Sequence, residues 1–125
     1  MGLKTKLASI GFASVVMLSS VSAGATVYIY DQLSGTSATS SSANLGSGTR
    51  YVTGTGTSGS GKAYAMKVIK WTPDVAVKTI SLSANNSAQA SFTAQAKNSD
   101  GVGQSYYVKW NGSTSSAKAN VSIRD

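Results

Sequence analysis

The chain has 125 residues, a formal net charge of +7, and no histidine, cysteine or glutamate. Most enzyme mechanisms need a side chain that titrates near neutral pH, an activated thiolate or a pair of carboxylates. Zinc sites rely on histidine and cysteine ligands, and disulfides need cysteine. We therefore expect a protein that is not an enzyme, has no catalytic residues, and binds no cofactor or metal ion.

The N-terminal residues have the three parts of a secretory signal peptide. Two lysines lie within residues 1–6, residues 7–18 are uncharged and mainly apolar, and small residues surround Ala23. We expect a signal peptide over residues 1–23, with cleavage after Ala23 or, at an overlapping site, after Ala25. The apolar run is shorter than the ~20 residues that a bilayer core requires, so we do not expect it to span a membrane. No second apolar segment of that length follows, so we expect no transmembrane segment in the mature chain. The product is expected to be secreted, either extracellular or loosely associated with the cell surface.

The mature chain, residues 24–125, is expected to be one domain held by packing and hydrogen bonds alone, because it has no cysteine. Without the two leader lysines, nine basic residues oppose four aspartates, a net charge of +5. This excess favours anionic partners such as wall polymers, acidic polysaccharides or the cell envelope, and it also serves simply to keep a secreted domain soluble.

Residues 26–32 are predicted to form the first strand, with Val27 and Ile29 on one face and Tyr28 and Tyr30 on the other. The next segment, residues 34–60, contains twenty Gly, Ser or Thr among its 27 residues. This composition predicts a long flexible loop with a short edge strand over residues 50–55. Two functional alternatives remain open for the segment: a hydroxyl-rich surface that meets sugar or another subunit, or an exposed edge strand that adds to another chain.

Residues 56–62 match a phosphate-binding loop up to Lys62, but Ala63 stands where Ser or Thr would hold magnesium. An overlapping dinucleotide fingerprint begins at Gly54, with Asp74 about twenty residues further on. Both motifs require a following helix, whereas the chain continues towards a Pro-Asp turn and another strand. We interpret both matches as chance products of a glycine-rich tract.

Residues 64–71 and 75–83 are predicted to form a hairpin around Thr72, Pro73 and Asp74, with Trp71 opposite Val75. Three further antiparallel strands are predicted over residues 88–97, 104–111 and 117–124, from the alternation of apolar and polar side chains. Turn residues lie between them at 98–101 and 111–113. The loop around Asn98 and Asp100 offers oxygen ligands for calcium, but one carboxylate is too few, and we expect an Asx turn there. The pattern predicts an all-β domain: a single antiparallel β-sandwich, immunoglobulin-like, or a small barrel.

Aromatic and basic side chains give the strongest indication of a binding surface. Four lysines surround Trp71, and Lys109 lies beside Tyr107 and Trp110. Rings beside cations stack on sugars or bases while lysines bind anionic groups. We expect Trp71 and Trp110 in the core, since both alternate with apolar neighbours. The predicted ligand-binding surface consists of Tyr28, Tyr30, Lys62, Lys67, Lys70, Lys78, Tyr107 and Lys109.

Two classes of function remain. The first is a non-catalytic secreted or cell-surface domain that binds an anionic extracellular polymer or the cell envelope, or that self-associates. The second is a secreted agent that acts on other cells or proteins, either a cationic, bacteriocin-like antimicrobial or a protease inhibitor. Membrane-active antimicrobials need an exposed apolar face, whereas these strands are committed to a core, which favours the first class. We do not expect nucleic acid to be the partner, because export makes wall polymers and membranes the more available anions.

Overall fold

The computed structural model describes residues 25–125, and the predicted signal peptide lies outside them. Within the described residues the chain is all-β, with nine strands and no helix. The strands are β1 (Val27–Ser34), β2 (Ala38–Thr39), β3 (Ala43–Asn44), β4 (Gly48–Ser58), β5 (Ser60–Lys67), β6 (Val75–Ser83), β7 (Ser87–Ala94), β8 (Ser105–Gly112) and β9 (Lys118–Arg124). They form two antiparallel sheets, which confirms the predicted fold class at that level.

The four-stranded sheet has the order β1-β9-β4-β7, and the five-stranded sheet has the order β2-β8-β5-β6, with β3 also paired to β8. The three C-terminal strands form close to the positions predicted, but they do not pair with one another. β7 and β9 lie in the four-stranded sheet, whereas β8 lies in the other. The turns at 98–101 and 111–113 therefore carry the chain between sheets. The alternation of apolar and polar side chains indicates which face of a strand is buried, but it does not indicate which strand pairs with it.

One apolar core lies between the sheets. Each sheet contributes fully buried side chains, among them Val52, Val121 and Ile123 from one sheet and Val108 and Trp110 from the other. Trp110 is 0% exposed, and its indole Nε1 donates a 3.0 Å hydrogen bond to the carbonyl oxygen of Gly35. The prediction of a buried Trp110 is confirmed.

The Gly/Ser/Thr-rich segment is the main correction to the predicted fold. Instead of a flexible loop with a short edge strand, it contains β4, an eleven-residue strand with β9 on one side and β7 on the other. Its glycines permit close approach of the two sheets: a Cβ on Gly56 would lie 2.1 Å from the carbonyl oxygen of Ser83 on β6. The composition of this segment predicts flexibility because glycine is costly to order. In the structure, however, glycine allows the two sheets to pack closely, because it has no side chain that would hold them apart.

The predicted hairpin of β5 and β6 forms, but with a different register. β5 ends at Lys67, which lies opposite Val75, and the connecting loop spans residues 68–74 rather than 72–74. A bulge in β6 further shifts the pairing, so that Ala65 lies opposite Lys78. Trp71 is therefore a loop residue and does not pair with Val75 as predicted.

Candidate ligand-binding cleft

The loop of residues 68–74 is fixed by its last residue. The Asp74 carboxylate accepts a 2.9 Å hydrogen bond from the backbone N–H of Ile69 and a 2.7 Å hydrogen bond from the hydroxyl group of Tyr107 on β8. Gln104 also anchors the loop, since its side-chain amide donates to the carbonyl oxygens of Val68 and Ser105 at 2.8 and 3.0 Å. The loop thus has a defined conformation although it belongs to no strand.

These contacts hold Trp71 out in solvent. Its side chain is 90% exposed, which corrects the prediction that it lies in the core. Its φ angle is 70°, in the left-handed region that bulky side chains avoid. Exposing a large apolar ring and holding the backbone in a strained conformation each make folding less favourable. A residue that carries both is more readily explained by a ligand than by the stability of the domain.

Trp71 borders a cleft of about 630 Å³ between its own loop and the segment that connects β7 to β8. The second wall is shaped at Asn98, whose side-chain oxygen accepts hydrogen bonds from the N–H groups of Asp100 and Val102 at 2.9 and 3.1 Å. This is the Asx turn that the sequence predicts. The cleft thus lies between two ordered loops at one end of the molecule.

Three lysines line this cleft: Lys67, Lys70 and Lys97. The ammonium nitrogen of Lys70 lies 5.6 Å from the centroid of the Trp71 ring and 4.0 Å from a carboxylate oxygen of Asp100. Lys67 donates a hydrogen bond to the side-chain oxygen of Gln95. With three ammonium groups and one carboxylate, the cleft has a net positive charge and an exposed ring at its edge, an arrangement suited to a ligand that carries both rings and anionic groups.

Tyr107 has a positioning role in this arrangement. Burial and its hydrogen bond to the Asp74 carboxylate raise the pKa of Tyr107 to about 12. The phenol therefore stays protonated at all physiological pH values and continues to donate to Asp74. This contact connects the outer face of β8 to the loop that carries Trp71.

The structure divides the predicted site residues into separate regions. Lys67 and Lys70 line the cleft, while Lys62, Tyr107 and Lys109 lie on the outer face of the five-stranded sheet, the face turned away from the core. Lys78 is exposed on β6, at the edge of that sheet. The two remaining residues, Tyr28 and Tyr30, belong to β1 in the other sheet, so the structure does not bring them to the cleft.

The outer face of the four-stranded sheet, where Tyr30 lies, is polar, and several of its side chains bond to one another. The hydroxyl groups of Thr53 and Ser122 are 2.6 Å apart. Arg124 is 7% exposed, packs its guanidinium 5.1 Å from the centroid of the Tyr51 ring, and donates a 2.6 Å hydrogen bond to Gln89. Such groups are less available to a ligand than the exposed lysines of the cleft. Tyr28 is half-buried and covered by the guanidinium of Arg50 at 5.2 Å.

Sequence reasoning missed Lys97 and Gln104 as cleft residues. The sequence pattern predicts that Lys97 ends a strand, but β7 ends at Ala94, and Lys97 lies in the second wall of the cleft. A signal was available, since Asn98 and the residues after it indicate a turn that could have been extended back to Lys97. The contacts of Gln104 with the Trp71 loop join residues 36 positions apart, which no local pattern reports.

The segment that matches nucleotide-binding motifs forms the end of β4, a turn at Gly59 and the start of β5, and no helix follows it. Among residues 25–125 no group of three or more metal-ligating His, Cys, Asp or Glu side chains occurs. The same residues contain no helix long and apolar enough to cross a membrane.

Comparisons with protein-family models, curated proteins and solved structures gave no match.

Proposed function

We propose that the mature chain is a secreted, non-catalytic, immunoglobulin-like β-sandwich that binds an anionic extracellular polymer through the cleft beside Trp71. Support for a sandwich comes from two separate sheets that share one core. Each sheet described here has edge strands, β1 and β7 in one sheet and β6 in the other. Support for secretion comes from the signal-peptide pattern of residues 1–23.

One observation carries the proposal: Trp71 is 90% exposed in a left-handed backbone conformation and is surrounded by lysines. An exposed indole stacks on a flat or ring-shaped ligand, and the ammonium groups of Lys67, Lys70 and Lys97 attract its negative charges. The anchoring hydrogen bonds from Tyr107 and Ile69 to Asp74 preorganise the loop, which lowers the entropic cost of binding.

Binding is tested with the secreted, processed protein and two immobilised polysaccharides, acidic polygalacturonate and neutral dextran. We expect retention on polygalacturonate at low ionic strength, release as salt rises, and no retention on dextran. Trp71→Ala should weaken binding at least about tenfold, which corresponds to about 1.4 kcal/mol. Lys70→Gln should weaken it less, because a single exposed charge contributes less than a stacked ring.

Matched controls lie on the opposite sheet. Tyr30→Ala removes an exposed ring, and Lys118→Gln removes an exposed lysine, in each case away from the cleft. Both should bind polygalacturonate as the wild-type protein does. Weaker binding by Tyr30→Ala with unchanged binding by Trp71→Ala would place the site on the other sheet and refute the proposal.

A further inference from the structure

Most edge strands of the two sheets carry features that hinder pairing with another chain. Proteins usually protect sheet edges with bulges, charged side chains, proline or very short strands. β2 and β3 have only two residues each. β1 has a bulge between Val27 and Ile29, and its Asp31 carboxylate accepts a 3.0 Å hydrogen bond from the backbone N–H of Ser41. β6 has a bulge and carries Lys78. These edges are therefore poor templates for a further strand.

Among the edge strands of the described chain, β7 is the exception. It pairs with β4 over all eight of its residues, from Ala94 opposite Gly48 to Ser87 opposite Thr55, with no register shift. No other strand that the structure describes pairs with it. The strand contains no proline, and residues 79–96 contain no charged side chain. β7 thus presents a long, regular and uncharged row of backbone N–H and C=O groups.

The side chains of β7 suit pairing with an identical strand. Four of them face away from the core, and all four are exposed, polar and uncharged: Ser87, Gln89, Ser91 and Thr93. On the inner side, Ala88 and Ala90 pack against the core but are only partly buried. When two copies of a strand pair antiparallel about a twofold axis with their faces matched, outward side chains meet outward ones and inward side chains meet inward ones. The strand is therefore self-complementary, and pairing would bury both alanines further.

We propose that the mature chain forms a dimer in which β7 pairs antiparallel with β7 of a second copy, so that two four-stranded sheets become one sheet of eight strands. The charge distribution favours a second copy at this edge. Each mature chain carries nine basic residues against four aspartates, which opposes close approach of two copies, whereas β7 adds no charge to the contact. Because both copies use the same strand, the contact is isologous and the assembly closes at two chains.

Sedimentation velocity of the secreted, processed protein measures the equilibrium between monomer and dimer. We expect the sedimentation coefficient to rise with concentration to the value of a dimer and no further. The double variant Ser91→Lys/Thr93→Lys brings like charges together across the twofold axis, so it should raise the dissociation constant of the dimer at least about tenfold. Both positions are exposed, and circular dichroism should show that the variant stays folded.

The matched control is Tyr30→Lys/Gln32→Lys. It adds the same two charges to exposed, outward-facing positions of β1, the strand at the opposite edge of the same sheet. If repulsion at β7 is the cause of dissociation, this control should dimerise as the wild-type protein does. A control that dissociates while the β7 variant dimerises would assign the contact to β1 and overturn the proposal.

Distances between spin labels test the geometry of the dimer, and a chain without cysteine allows each label to be placed at a single residue. Labels attached to Ser91→Cys lie on the two paired strands, so they should be within about 20 Å of each other. Tyr30 lies on β1, and seven strand intervals of about 4.8 Å separate the two β1 strands of the proposed dimer. Labels attached to Tyr30→Cys should therefore be at least about 30 Å apart.

The result does not depend on the ligand of the cleft, so the dimer and the proposed function can fail separately. A wild-type protein that stays monomeric up to about 1 mM would overturn the dimer. Species larger than a dimer would also overturn it, because they require an open contact. A long distance at Ser91→Cys with a short one at Tyr30→Cys would show that another edge is paired. In each of these cases, binding of polygalacturonate through Trp71 would still support the cleft.

Discussion

Replacing Trp71 with glycine should stabilise the domain relative to replacement with alanine, while both variants lose ligand binding. Either substitution removes a ring that is 90% exposed, so the loss of packing is the same and small. The variants differ in the backbone, because Trp71 has a φ of 70°. An L-residue in this left-handed region costs roughly 1–2 kcal/mol, and glycine avoids that cost. Glycine also gives the unfolded chain more conformational freedom, which offsets up to about 1 kcal/mol of the gain.

The net expectation is that Trp71→Gly is about 0.5–1 kcal/mol more stable than Trp71→Ala, or a few degrees in Tm for a domain of this size. Urea unfolding followed by far-ultraviolet circular dichroism gives the difference in free energy of unfolding. If Trp71→Ala loses more than about 2 kcal/mol relative to wild type, the ring is packed rather than exposed, and the reasoning is wrong. If Trp71→Gly is less stable than Trp71→Ala, the backbone is not strained at this position.

Three further outcomes are expected. The pKa of Tyr107 is raised to about 12, so the stabilisation from its hydrogen bond to Asp74 should be complete below pH 10 and lost as the pH rises from 10 to 12. The Tyr107→Phe variant should not show this decrease in a plot of Tm against pH. Asp100→Asn should strengthen polygalacturonate binding up to about fivefold by removing the anion that competes for Lys70, as measured by calorimetry; weaker binding would mean that Asp100 positions Lys70 for the ligand. Gly56→Ala should lower the free energy of unfolding by roughly 1–3 kcal/mol, because its Cβ would meet a carbonyl oxygen of β6 at 2.1 Å, and unchanged urea unfolding would contradict the close sheet packing.

The strands that could be predicted from the sequence are those whose side chains alternate. The apolar positions of β9, such as Val121 and Ile123, are buried as the alternation implies. The pairing of strands could not be predicted in the same way, since side chains that alternate with a period of two determine the buried face of a strand but not its neighbour in the sheet. A strand is predicted over residues 50–55, but the full length and central position of β4 could not be predicted, because Gly54 and Gly56 occupy inward positions where a strand normally shows apolar side chains.

The two tryptophans show that the same local sequence pattern does not distinguish a core residue from a residue of the candidate binding site. Both lie among apolar neighbours, yet Trp110 is 0% exposed and Trp71 is 90% exposed. What separates them is the anchoring of the 68–74 loop by Asp74 and Gln104, through contacts with residues more than thirty positions away. Lysines near Trp71 could be identified from the sequence, whereas their division between a cleft and an outer sheet face depends on strand register.

The most direct measurement for the binding site is a nuclear magnetic resonance titration of the isotope-labelled, secreted protein with tetragalacturonate. If the cleft is the site, the indole N–H signal of Trp71 and the backbone signals of residues 67–71 and 95–100 should shift in a saturable manner that added salt reverses. Shifts confined to the outer face of the four-stranded sheet, around Tyr30 and Gln89, would contradict the account.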